Sequence, residues 1–223
     1  MNEQDKNEFT KHMISLSEMF NKEVTNITQT ENGSKISYFD TVTGKEEVAI
    51  AGYCISTIPF GVLSQNDNDF SPEIIGALKS PRSAPAYKIG LQFDRRFWEK
   101  DEMIYGGVTQ TDIPGNSVIS YPSNDLHSPN GGVLLGAYEY SASAVRNSNL
   151  SIAERIEHTL ACGEKLHPDN FRKHYNGQAI SKSWHKDRFA LGGASSYRSR
   201  RQRTKNIPLV AKGEKRVIFS GGG

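Results

Sequence analysis

Lys88 is the residue whose type and place most invite chemistry. It stands in an alternating run, Tyr-Lys-Ile-Gly-Leu-Gln-Phe, that continues through Asp-Arg-Arg to Phe97 and Trp98. By the two-residue period of a strand, Ile89, Leu91 and Phe93 share one face and Lys88, Gly90 and Gln92 the other. The lysine then either lines an inner wall or snorkels from a half-exposed strand. In an inner wall its ammonium needs a carboxylate, a water or an electron-rich cofactor beside it, and it would stabilise negative charge developing on that partner. Hydrolytic and metal chemistry find little to stand on. His12, His127, His158, His167, His174 and His185 are scattered, with no two at the i,i+4 step of a helical metal pair, and no Gly-x-Ser-x-Gly elbow occurs. Cys54 and Cys162 have no metal or disulfide spacing and read as reduced, structural thiols. His185, beside Trp184, either faces a ligand or is a satisfied surface histidine.

The elements that must position Lys88 read as an α+β chain. Residues 4–22 carry Phe9, Met13, Leu16 and Phe20 at helical steps, which predicts an amphipathic helix. A hairpin follows, with Val24 and Ile27 in its first arm, a turn at 31–34 and a second arm at 35–39; another turn at Thr43-Gly44-Lys45 leads to 48–50, making a β-meander. The apolar run 53–59 is a strand stopped by Pro59. Ser71-Pro72 opens a short helix over 73–79. Then come the Lys88 strand and strands over 103–110, 117–121 and 133–140, an antiparallel or mixed sheet. The clearest helix is 151–166, with Ser151 as cap, Glu154 closing a capping box, and Ile152, Ile156 and Leu160 on one stripe that covers the sheet. After an irregular stretch come strands over 178–184 and 216–220. The last opens into Gly221, where backbone must approach something closely.

Charge and composition narrow the function classes. The 27 basic and 25 acidic residues nearly cancel, which argues against nucleic acid or a membrane surface as the chain's general partner. The exception is the run from Arg198 to Lys205, which has Tyr197 as its only neighbouring aromatic and reads as a solvated loop. No stretch reaches the roughly 18 apolar residues of a membrane span, and the first residues lack the pattern of an export signal, so the expected compartment is the cytoplasm.

Taken in order, several pieces resemble the flavin-containing amine oxidases, and within them bacterial L-amino-acid oxidase-like proteins and monoamine oxidases. These pieces are the Val24 hairpin, the segment Ile55-Ser-Thr-Ile-Pro59-Phe-Gly-Val-Leu63, Lys88 followed nine and ten residues on by Phe97 and Trp98, Trp184-His-Lys-Asp187, and Val217-Ile-Phe-Ser-Gly221. The likeness covers roughly residues 8–221. It implies that Lys88 is catalytic, holding a water against N5 of FAD where hydride arrives. It implies that Val24 meets the adenine end of FAD through its backbone and that Gly221 closes on the flavin. Trp184 would stand against the isoalloxazine ring, or else be a core tryptophan, while Thr57 and Pro59 would lie in a strand linking the two sides.

Departures from the family pattern shape the functional expectation. No Gly-x-Gly-x-x-Gly turn is present to hold a pyrophosphate, and Gly222 stands where the family has a flavin-gripping glutamate. Gly193 is followed by Ala194 and Ser195 rather than by an aromatic cage residue. The resemblance thus implies a partial FAD-domain segment at 1–63, a substrate-binding domain at 64–183 with a mixed sheet, and a return to the FAD domain at 184–223. The expected function is a fragment of an FAD-dependent amine or L-amino-acid oxidase, inactive alone and weak in FAD binding. The expected partners are an amine or amino-acid substrate, a complementary chain carrying the dinucleotide-binding half, and a second copy of the chain as a homo-oligomer. The alternative is a non-catalytic remnant that serves in binding or oligomerisation without FAD.

Overall fold

The computed structural model describes residues 18–122 and 131–221. Strands β1 (Lys22–Gln29), β2 (Ser34–Asp40) and β3 (Lys45–Ala51) form the antiparallel meander. β4 (Cys54–Ser56), the one-turn helix α1 (Phe60–Leu63), β5 (Asp67–Asn68) and α2 (Pro72–Lys79) follow, and β5 pairs parallel with β1. α2 starts as its sequence demands: Pro72 sits in the first turn and the Ser71 hydroxyl accepts from the Ile74 N–H.

Next come β6 (Arg82–Ala84), β7 (Ala86–Phe93), α3 (Phe97–Lys100), β8 (Gly107–Gln110), β9 (Val118–Tyr121) and β10 (Gly132–Tyr140). The helices α4 (Ser141–Ser148), α5 (Ile152–Leu166) and α6 (Phe171–His174) lead into β11 (Tyr175–Ser183). A five-stranded sheet in the order β11-β7-β10-β9-β8 results, with antiparallel pairings throughout. After the 3-10 turn Trp184–Lys186 come β12 (Ala194–Ser196), α7 (Arg200–Lys212) and β13 (Val217–Phe219). β12 pairs with β6, and β13 runs parallel to β4. The architecture is α+β, with its mixed pairing in the meander sheet.

Two apolar cores hold these elements. In the first, Ile89, Leu91 and Phe93 are fully buried, as the two-residue period requires. Phe93 meets Phe97, Trp98 and Phe171 edge to face, with centroids 5.5, 5.7 and 5.0 Å apart. α5 covers this face behind a complete Ser151–Glu154 capping box. Gly163 lets the Phe171 ring in, since a Cβ there would lie 2.3 Å from a ring carbon. The second core joins Ile27 of β1, Leu63, Leu78 of α2 and Val210 of α7, with Phe70 packed edge to face on Phe219 of β13. Cys54 lies against the second core and Cys162 is buried in α5; both are free thiols.

Several expectations change. The helix predicted over 4–22 lies for most of its length outside the described residues, and Lys22 already begins β1. The strand predicted over 103–110 begins only at Gly107; Met103 itself adopts a φ of 57°, in the left-handed region rather than the extended one. The run 53–59 is a strand only to Ser56; Thr57 lies beyond it and Pro59 precedes α1. The basic run from Arg198 is no loop, since Arg200 begins a 13-residue helix whose Ser199 hydroxyl accepts from the Gln202 N–H.

At the β2–β3 turn, Asp40 is buried and accepts hydrogen bonds from Lys22 and from the Val42 and Thr43 N–H groups. The Lys22 bond first, then those of the turn backbone, hold its carboxyl well below the usual carboxylate range. A depressed folded pKa stabilises the fold above the unfolded value and is lost as pH falls toward the folded one. The melting temperature of the wild type should therefore exceed that of Asp40→Asn at about pH 5, with the gap closing as the pH falls below about 4. Melts across that range check it, and a gap that does not change with pH would refute the role.

Candidate functional site

Lys88 sits near the start of β7, on the face turned away from the first core. A bulge in β10 decides what it meets: Leu135 pairs with Gly90, but beyond the bulge Ala137 pairs with Ile89 and Tyr138 with Lys88. The ammonium lies 4.3 Å from the centroid of the Tyr138 ring, in half-buried surroundings. Such a contact contributes about 0.5–2 kcal/mol. Among the described residues no carboxylate pairs with this ammonium, so its N–H donors remain available to an acceptor from outside the chain.

Trp184 follows β11 on the same side. Lys182 pairs across from Lys88, and its ammonium lies 5.4 Å from the Trp184 ring centroid and bonds to Asp187. The indole is 37% exposed, so it is not a core tryptophan in the described fold. His185 bonds weakly through Nδ1 to the Ala86 carbonyl at 3.4 Å, while its Nε2 is buried without a partner among the described residues. Around Lys88 the sheet face carries Ile180 at 81% exposure, with Val133 and Val108 also exposed. An open apolar face of this kind marks a binding or assembly surface.

Val24 and Gly221 lie elsewhere, on two cavities that share Pro59. One, of about 380 Å³, is lined by Val24, Ile58 and Leu191; the other, of about 250 Å³, by Gly192, Gly193 and Gly221. Arg188 forks onto Glu23 at 2.8 and 2.6 Å, tying the segment after Trp184 to β1 beside Val24. The Val24 carbonyl already accepts from Asn66 Nδ2 at 2.9 Å. Gly221 is required by its own chain, because a Cβ there would lie 1.9 Å from the Ile58 carbonyl oxygen. The structure thus sets Lys182, which carries the Trp184 contact, across from Lys88, and puts Val24 and Gly221 on separate cavities with Pro59 in common; neither cavity is lined by Lys88. Tyr138, Arg188 and Glu23 were not expected from sequence. Nothing local in the sequence marks Tyr138 or the Arg188–Glu23 pair.

The family of these proteins now follows from comparison. The model of the flavin containing amine oxidoreductases matches residues 17–222, and the chain belongs to that family. Among relatives, YobN of Bacillus subtilis (strain 168), provisionally named an L-amino-acid oxidase, is 28% identical over 91% of this chain and 42% of its own length. The L-amino-acid oxidase of Mus musculus is 28% identical over 78% of this chain and 27% of its own. In structure, wild-type putrescine oxidase bound to putrescine superposes with a TM-score of 0.73 at 13% identity, over 98% of this chain and 46% of that one. The chain spans less than half the length of these relatives. No described helix is long and apolar enough to cross a membrane.

Membership implies FAD in a complete enzyme, and the residues present fit that group only in part. The two cavities are concave surfaces bordered by Val24, Pro59 and Gly221. They hold no strand–glycine–helix turn for a pyrophosphate. Gly192 and Gly193 instead pack against the chain itself, with a Cβ meeting Ser83 at 2.4 Å and Ala86 at 2.1 Å.

Proposed function

We propose that this chain supplies the substrate face and part of the cofactor cleft of an FAD-dependent amine or L-amino-acid oxidase. It is inactive by itself and turns over with a complementary polypeptide that carries the dinucleotide-binding half. Residues 64–183 form the substrate-binding domain, and residues 1–63 and 184–223 belong to the cofactor side. The single observation behind this reading is the Lys88 ammonium: held over a neutral ring on an open sheet face, it has no acceptor among the described residues in a member of this family.

When bound, FAD supplies the two-electron acceptor for oxidative deamination, with an imine released to hydrolysis and oxygen reduced to peroxide. Lys88 donates to a water or oxygen at the reacting centre, and its charge stabilises negative charge developing there. Trp184 excludes water from that face. Val24 and Gly221 border the cofactor. The two-stranded parallel pair β13–β4 supports a missing neighbour, because parallel strands are otherwise found in larger sheets covered on both faces. The poor pyrophosphate fit favours a second reading, a non-catalytic binding or oligomerisation subunit without FAD.

Complementation separates the two. The chain alone should stay colourless with FAD. Mixed with FAD and the Gly-x-Gly-x-x-Gly-bearing half of a relative such as YobN, it should gain yellow absorbance and release peroxide from an amine or L-amino acid. A mixture that stays colourless and silent, although the two polypeptides associate, would favour the non-catalytic subunit.

A further inference from the structure

A groove of about 900 Å³ runs between α2 and α7 and is lined by none of the residues assigned above. From α2 it is lined by Gly76 and Ala77, and from α7 by Arg201, Lys205 and Leu209. Arg200, Arg201, Arg203 and Lys205 are exposed, and none has an ion-pair partner among the described residues. They crowd the start of α7, whose first turn holds no acid, so their charges run against the positive end of the helix dipole. Among the described residues no carboxylate pairs with them.

Gly76 is a second and independent sign. A glycine inside a helix is disfavoured relative to alanine, and here no neighbour demands it, since a Cβ at Gly76 would meet nothing within 4 Å. The bare backbone opens into the groove, where it admits close approach from outside.

We propose that the α2–α7 groove docks an acidic, amphipathic helix of a partner polypeptide, with small apolar residues against Gly76 and Leu209 and carboxylates against the α7 cations. Charge complementarity selects an acidic ligand. The mixed lining, with Ala77 and Leu209 among polar side chains and the carboxylate of Glu73, selects a polypeptide over a nucleic acid. A peptide can set a neutral or basic side chain opposite Glu73, whereas a phosphate backbone is uniformly charged and finds no aromatic ring in the groove on which to stack a base. The proposal does not depend on the oxidase reading.

The test is fluorescence anisotropy on the full chain with a labelled helical peptide of about four turns that alternates Glu with Ala and Leu. Its lysine-for-glutamate counterpart and a single-stranded oligonucleotide serve as rival probes. The acidic peptide should bind at low salt and weaken as salt rises. Arg201→Glu with Lys205→Glu, and separately Gly76→Phe, should each weaken it by about tenfold or more. Gly76→Ala, whose methyl takes up part of that close approach, should weaken binding less than Gly76→Phe and melt no lower than the wild type. The proposal is overturned if the acidic peptide does not bind, if the lysine peptide binds as well, or if the oligonucleotide binds more tightly and is indifferent to Gly76→Phe.

Discussion

Replacing Lys88 with methionine in the complemented enzyme is expected to lower kcat by about 10²–10³, the usual effect of removing one preorganised donor from a charge-developing centre. KM should change by less than about threefold, because the ammonium acts where charge develops and not on the bound ground state. Steady-state peroxide release against amine concentration reads both parameters. The isolated chain should hardly notice the change: Lys88 has no ion pair among the described residues, and losing its contact with the Tyr138 ring removes about 0.5–2 kcal/mol at most. A large rise in KM with kcat intact would make Lys88 a substrate-binding group. A large loss of thermal stability would make it structural. Either result ends its role as a catalytic residue.

Phe93→Ala, five positions along the same strand but on the opposite face, should do the reverse. Phe93 is fully buried and makes edge contacts with Phe97, Trp98, Phe171 and Tyr175. Truncating such a ring costs about 3–5 kcal/mol through lost burial and the cavity left behind. Against a total stability of about 5–15 kcal/mol this threatens the fold, and a melting temperature lower by roughly 6–20 °C is expected. Gln92→Ala, one residue away on the open face, should stay within about 0.5 kcal/mol. Thermal and urea melts of the two variants side by side check the contrast. Equal losses would mean that the Lys88 face is packed as tightly as the core.

Much of the first core is legible because period and capping are local. Ile89, Leu91 and Phe93 alternate, and the α5 cap needs only Ser151 and Glu154 three residues apart. The same locality explains the misreading of α7. Its arginines and internal Pro208 look like a solvated loop, and its apolar stripe is too thin to announce a helix. Val210, with Leu209 beside it, holds it to the second core through contacts with distant elements. Met103 could not be placed either, since nothing in its side chain signals a positive φ.

The candidate site divides along the same line. The family resemblance singles out Lys88, Trp184, Val24 and Gly221, but it cannot say which stand together. Long-range pairing decided that: β11 carries Trp184 toward Lys88 through the Lys182–Lys88 register, and Pro59 joins the cavities of Val24 and Gly221.

What the sequence by itself determined is that Lys88 lies on the face opposite Ile89, Leu91 and Phe93, since alternation along one strand needs no partner. What only the tertiary structure decided is that a tyrosine receives it. Along β10 the buried positions are Gly132, Leu134 and Gly136, and then Ala137 and Glu139, so one extra residue reverses the alternation. Without that bulge Ala137 would lie across from Lys88; with it, Tyr138 does. Packing from another element meets the chain at this same point: a Cβ at position 136 would lie 2.6 Å from Thr159 of α5, so the residue at the bulge must be glycine for helix and sheet to close, a demand that one strand's sequence cannot show.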